Sequence, residues 1–133
     1  MAVYMLDARS CVAILKRSDE VLKRLSAVAV TDVCISAVTL SELMVGVSMS
    51  RQRTQDQAAL DLFLKYVAVL EYPRGAAAHY GEIRMALELL GQMVGANDLL
   101  IAAHAQCLGL TLVTDKAKKL GRVPGLAAEC WGR

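Results

Sequence analysis

No stretch of this chain is both long enough and apolar enough to cross a membrane. Apolar residues make up 56% of the 133, yet no run reaches the roughly 18 uncharged residues that a spanning helix needs. The longest candidate, Val33 to Ser41, is bounded by Asp32 and Glu42. A secretory leader is lacking too: Met1-Ala2-Val3-Tyr4-Met5-Leu6-Asp7 has no basic start and meets an acid early, so the chain reads as cytoplasmic. Cysteines at redox or metal spacing are also missing. Cys11, Cys34, Cys107 and Cys130 form no C-x-x-C pattern and read as small buried hydrophobes. Strong charge of one sign is absent. A net charge of +2 does not predict nucleic-acid binding on its own, although basic residues gather at Arg51 and Arg53 and from Lys116 to Arg122. There is no internal repeat, linker or low-complexity segment. The length fits one domain with a real core.

What the chain does have is an alternation of short apolar runs and helical patterns. Val3-Tyr4-Met5-Leu6 reads as a buried strand ending at Asp7. A helix follows from Ser10 to Lys16, and Ser18 is placed to cap another, with Asp19 and Glu20 in its first turn. Val33 to Ser36 is the next strand. Thr39 opens a helix in which Thr39-Leu40-Ser41-Glu42 matches a capping box. An amphipathic helix spans Gln55 to Tyr66, and Val67 to Leu70 is a strand stopped by Pro73. Gly75 to Leu90 is a long helix, with Gly91 as its C-terminal cap. Gly95 and Asn97 mark a turn, and the helix that Asp98 then starts, ending near Leu108-Gly109, is almost wholly apolar and must be buried. Leu110 to Thr114 is the last predicted strand. The pattern predicts an α/β domain with a mostly parallel sheet and helices on both faces.

In such a sheet, strand C-termini and the following helix N-termini share one edge, where ligands bind. Asp7 ends the first strand, and Glu42 lies early in the helix after the second. Asp98 stands at the mouth of the apolar helix, beside free backbone N–H groups that favour negative charge. Asp115 follows the last predicted strand. Each has a structural reading: Asn97 or Asp98 as an N-cap, Glu42 as half of the capping box. Four acids on one rim are a different matter, because crowded carboxylates raise one another's pKa values unless a cation sits among them. Oxygen ligands without cysteine or a well-placed histidine point to Mg²⁺ or Mn²⁺, and hence to metal-assisted attack on a phosphodiester. His104 lies about 240° round the helix from Asp98. His79 reads as a surface or satisfied core histidine.

At these residues the chain resembles the PIN-domain ribonucleases, specifically the VapC toxins of bacterial toxin–antitoxin pairs, over essentially its whole length. The segments that carry the resemblance are Tyr4-Met5-Leu6-Asp7, then Ile35 through Leu43 with Gly46. Gly91, Val94-Gly95 through Asp98 and Ile101-Ala102-Ala103-His104-Ala105 follow. Leu112-Val113-Thr114 and Arg122-Val123-Pro124-Gly125-Leu126 complete the set. The resemblance implies a Mg²⁺- or Mn²⁺-dependent endoribonuclease with Asp7, Glu42 and Asp98 as metal ligands and Asp115 assisting. It also implies a homodimer, a VapB-like antitoxin as partner, and RNA, in several members tRNA, as substrate.

Two places depart from the family pattern. Ala8 and Arg9 follow the first acid where a hydroxyl residue and then Asn or Ser are usual. Lys116 stands two residues after Thr114, where the last polar or acidic site usually falls, with Asp115 one residue early. Adjacent side chains on an extended stretch diverge, so Asp115 is expected to face away from the metal. Three roles are open for Arg9 and Lys116: contact with RNA phosphate, occupation of the acidic pocket at the metal's expense, or exposure to solvent. The alternative to an active nuclease is a catalytically weakened PIN-like protein that binds antitoxin or RNA. A receiver-like or phosphatase-like domain with Asp7 as nucleophile ranks lower, because Asp7-Ala8-Arg9 lacks a D-x-D pair.

Overall fold

A computed structural model describes residues 1–132. Its sheet has five parallel strands in the order β3-β2-β1-β4-β5. These are β1 (Tyr4–Leu6), β2 (Val33–Ser36), β3 (Ala68–Leu70), β4 (Thr111–Val113) and β5 (Ala128–Glu129). The helices are α1 (Ala8–Leu15), α2 (Asp19–Ser26), α3 (Ala37–Ser48), α4 (Arg53–Leu64), α5 (Ala76–Leu89), α6 (Ala96–Cys107) and α7 (Ala117–Leu120). Among the described residues no helix is long and apolar enough to cross a membrane.

The pleat divides the apolar residues between two cores, since successive strand side chains point to opposite faces. Met5, Cys34 and Leu112 are in register and pack with Ile83 and Leu87 of α5 and with Leu99, Ile101 and Ala102 of α6. Leu6, Ile35 and Val113, one residue on, face α1 to α4 through Cys11, Val21, Leu43, Leu60 and Phe63. Both faces are therefore covered, as a parallel sheet requires. Chain order reverses between β1 and β4, which makes their C-terminal ends the natural site for a ligand.

Several boundaries differ from the sequence reading, each for a local reason. The first helix starts at Ala8, not Ser10, because the Asp7 carboxylate caps it, accepting from the Ser10 amide at 2.8 Å. The third starts at Ala37, because Ser36, not Thr39, is its cap, with the Val38 amide donating to Ser36 Oγ at 3.1 Å. Thr39 is instead buried and donates to the Leu6 carbonyl at 3.4 Å. Glu42 therefore lies in the second turn, and the capping-box reading does not hold. Gly95 is the N-cap of α6, so neither Asn97 nor Asp98 caps it. Gly91 does end the long helix, with φ +67°, a conformation that costs glycine little.

The tail supplies two elements that periodicity did not predict, α7 and β5. The latter pairs with β4 through Leu112–Ala128 and Val113–Glu129. Trp131 is buried, stacks edge-on against Tyr4 at 5.3 Å and donates its indole N–H to Glu129 at 2.7 Å. The cysteines are free; Cys11 and Cys34 are buried, and burial pushes the Cys34 thiol up to about 11.

Candidate active site

Asp7 sits at the end of the central strand, only 4% exposed. Its backbone N–H continues the ladder to the Val113 carbonyl at 3.0 Å, which ties it to β4. Burial raises its pKa; the Ser10 amide, with the Ser10 and Thr114 hydroxyls, pulls it back down, and Asp115 adds to the rise. Ser10 also donates to the Val113 carbonyl at 3.2 Å, which closes the gap between the two strand ends.

Glu42 comes up from α3 beside it. One carboxylate oxygen, Oε1, is buried and has no hydrogen-bond partner. Burial raises the Glu42 pKa first, Asn97 opposes the rise, Asp98 and Asp7 add to it, and Lys116 opposes it. Asp7, Glu42 and Asp98 thus feel one another's fields, as the shared rim predicted. They do not stand as a formed cage: among the described residues no three Asp, Glu, His or Cys side chains are grouped closely enough to hold a metal.

Two cations stand at this rim. The Lys116 ammonium forms an ion pair with Asp98 Oδ2, the two side chains being 32% and 21% exposed. The Lys116 amide donates to Thr114 Oγ1 at 3.1 Å, so the turn after β4 is anchored and its lysine is directed inward. Asp115, between them, is exposed and pairs with Arg9 Nη1 at 3.1 Å. Lys116 therefore does not simply point to solvent: its ammonium contacts the acidic pocket. Arg9 is largely in solvent, 75% exposed, where such a pair contributes little.

Sequence reading missed three residues that hold the site together. Thr114 serves both Asp7 and Lys116; its place at the end of the same rim was the available signal. Asn97 serves Glu42. Ser36 bonds His104 Nδ1 at 2.9 Å, linking the start of α3 to α6. His104 is fully buried, and burial lowers its pKa.

The model of the PIN domain family matches residues 4–125. The chain belongs to the PIN-domain family. Its relatives are VapC proteins. It is 40% identical to Ribonuclease VapC2 of Rickettsia felis, covering 98% of this chain and 99% of that one. It is 34% identical to the tRNA(fMet)-specific endonuclease VapC of Salmonella typhimurium, with the same coverage of both chains. Among solved structures, this PIN domain superimposes on VapBC2 from Rickettsia felis bound to a promoter DNA fragment with a TM-score of 0.87 at 37% identity, covering 97% of this chain and 98% of that one. DNA-bound VapBC from Salmonella typhimurium gives a TM-score of 0.88 at 34% identity, covering 98% and 99%.

The residues present suit a hard divalent cation in kind. Asp7, Glu42 and Asp98 offer only oxygen donors, and Glu42 Oε1 is a buried acceptor without a donor, an arrangement costly to leave unmet. The position beside Asp98 is already taken by Lys116.

Proposed function

We propose that this PIN domain is the endoribonuclease toxin of a type II toxin–antitoxin pair, acting in the cytoplasm on RNA, with tRNA as the first substrate class to test. The observation that carries this reading is the convergence of Asp7, Glu42 and Asp98 at the C-terminal edge of β1 and β4, in a chain whose relatives are named ribonucleases. Asp7, Glu42 and Asp98 would hold Mg²⁺ or Mn²⁺, which when bound supplies water activation and charge neutralisation at phosphorus. The Ser10 amide keeps the Asp7 carboxylate oriented, while Thr114 and Asn97 favour the charged forms of Asp7 and Glu42. Asp115 acts from outside that set, through Asp7. Lys118, Lys119 and Arg122 line a hollow of about 460 Å³ beside Asp115 and Lys116, a cationic approach for an RNA backbone.

The partner is a VapB-like antitoxin. An apolar groove of about 460 Å³ between α1, α3 and α4, floored by Val12, Leu15, Leu43, Val47 and Leu60, runs to Glu42; an amphipathic helix fits such a groove. The protein also forms a homodimer. Met85, Leu89, Leu90 and Met93 at the end of α5 are exposed apolar residues that such a contact would cover.

The second reading, a weakened PIN domain that binds without efficient cleavage, is favoured by the Lys116–Asp98 pair. One experiment separates the two: purified antitoxin-free protein is given a tRNA pool with Mn²⁺ or with chelator, beside Asp98→Asn. Metal-dependent cutting lost in the variant supports the nuclease. No cutting of tRNA or of total RNA by the folded protein supports the binding form.

A further inference from the structure

We infer that Lys116 is a tethered cation that competes with the divalent ion for Asp98, so that this chain binds metal more weakly than its own acids allow. The inference rests on the metal reading of the site and deepens it. Four observations carry it. The ammonium is on Asp98 Oδ2, an oxygen a metal would need. Its backbone amide is fixed by Thr114 and it stands at the N-cap position of α7, so the root of the side chain is held at the pocket by the fold. The carboxylates are near enough to feel one another, yet among the described residues no three are grouped so as to hold a metal. Glu42 Oε1 is left without a donor, so Lys116 satisfies only part of the site.

The physics follows from charge and place. Lysine carries a compact point charge on a flexible stem, and a tethered ion acts at high effective concentration. An incoming Mn²⁺ must displace the ammonium or share Asp98 with it, and either route weakens binding. Arg9 differs: it neutralises Asp115 at the exposed outer edge, where solvent screens it. Its removal should matter less.

The test is calorimetric titration of Mn²⁺ into the metal-free, antitoxin-free protein, compared with Lys116→Met, Lys116→Gln and Arg9→Gln. Methionine and glutamine keep much of the side chain's length and delete its charge, and a far-UV spectrum establishes that each variant folds. The expected result is Mn²⁺ binding at least about tenfold tighter in both Lys116 variants, with Arg9→Gln changed by less than about threefold. A second readout needs no activity: saturating Mn²⁺ raises the melting temperature more in Lys116→Met than in the parent. Equal affinity in parent and Lys116 variants, with binding present, overturns the competition and leaves the metal reading standing. No Mn²⁺ binding by any folded form overturns both.

Discussion

Asp7 carries two duties that conflict. As the cap of α1 it stabilises the fold through the Ser10 amide, and as a buried acid with a raised pKa it holds a charge its surroundings resist. Asparagine caps helices about as well without the charge. Asp7→Asn should therefore fold and gain up to about 1 kcal/mol in metal-free protein, while cleavage is lost; urea denaturation in chelator beside an RNA assay checks both. Trp131 has a single duty. Buried against Tyr4 and tied to Glu129, it should cost about 3–5 kcal/mol when cut to alanine, read from the shift in urea midpoint. The acids could be read in the sequence because Asp7, Asp98 and Asp115 lie at or just beyond a strand end or in the first turn of a helix, and Glu42 lies within two turns of a helix start. The direction of Lys116 could not, since it depends on the Thr114 hydroxyl catching its amide.

At the scale of elements, α3 and α6 bring Glu42 and Asp98 to the rim, and a buried contact between Ser36 and His104 couples them. Ser36→Ala removes the cap of α3 and orphans the imidazole, so a loss of about 1–2 kcal/mol is expected, with a further fall in Mn²⁺ affinity because the helices that carry Glu42 and Asp98, the ligands proposed above, loosen together. Thermal melts and calorimetry measure these separately. His104 also sets a pH dependence. Its folded pKa lies below the ordinary 6.5, so the stability from keeping it neutral is complete above that pH. That stability is lost as pH falls from 6.5 toward the folded value, because the unfolded chain takes up the proton first. Between pH 7 and pH 5 the parent should lose more stability than His104→Gln, as parallel urea titrations would show. Strand and helix identities were legible here from apolar runs and periodicity. Helix starts were not, because Ser36 and Thr39 are both competent caps and only the Leu6 carbonyl, which takes the Thr39 hydroxyl, decides between them.

The whole molecule buries its two cores independently of the rim, with Leu6, Ile35, Ile83, Ile101 and Val113 fully enclosed. Chelator should therefore leave far-UV ellipticity and the urea midpoint unchanged, whereas excess Mn²⁺ should raise the melting temperature in proportion to the logarithm of its concentration; a chelator-induced unfolding would show the metal to be structural instead. The sequence alone determined the class of fold, since alternating apolar runs and amphipathic helices admit little besides a covered parallel sheet. It also pointed Asp7, Glu42, Asp98 and Asp115 toward one edge, because strand ends and the following helix starts share an edge in a parallel sheet. Tertiary structure decided the rest. β5 is two residues long and exists only because β4 offers it an edge. Asp115 faces Arg9 and Lys116 faces Asp98 because one turn, held by the Thr114 hydroxyl on the Lys116 amide and met by partners from distant parts of the chain, chooses which of two neighbouring side chains enters the site. Periodicity records which face of an element is apolar; it carries no record of where a turn aims a charge.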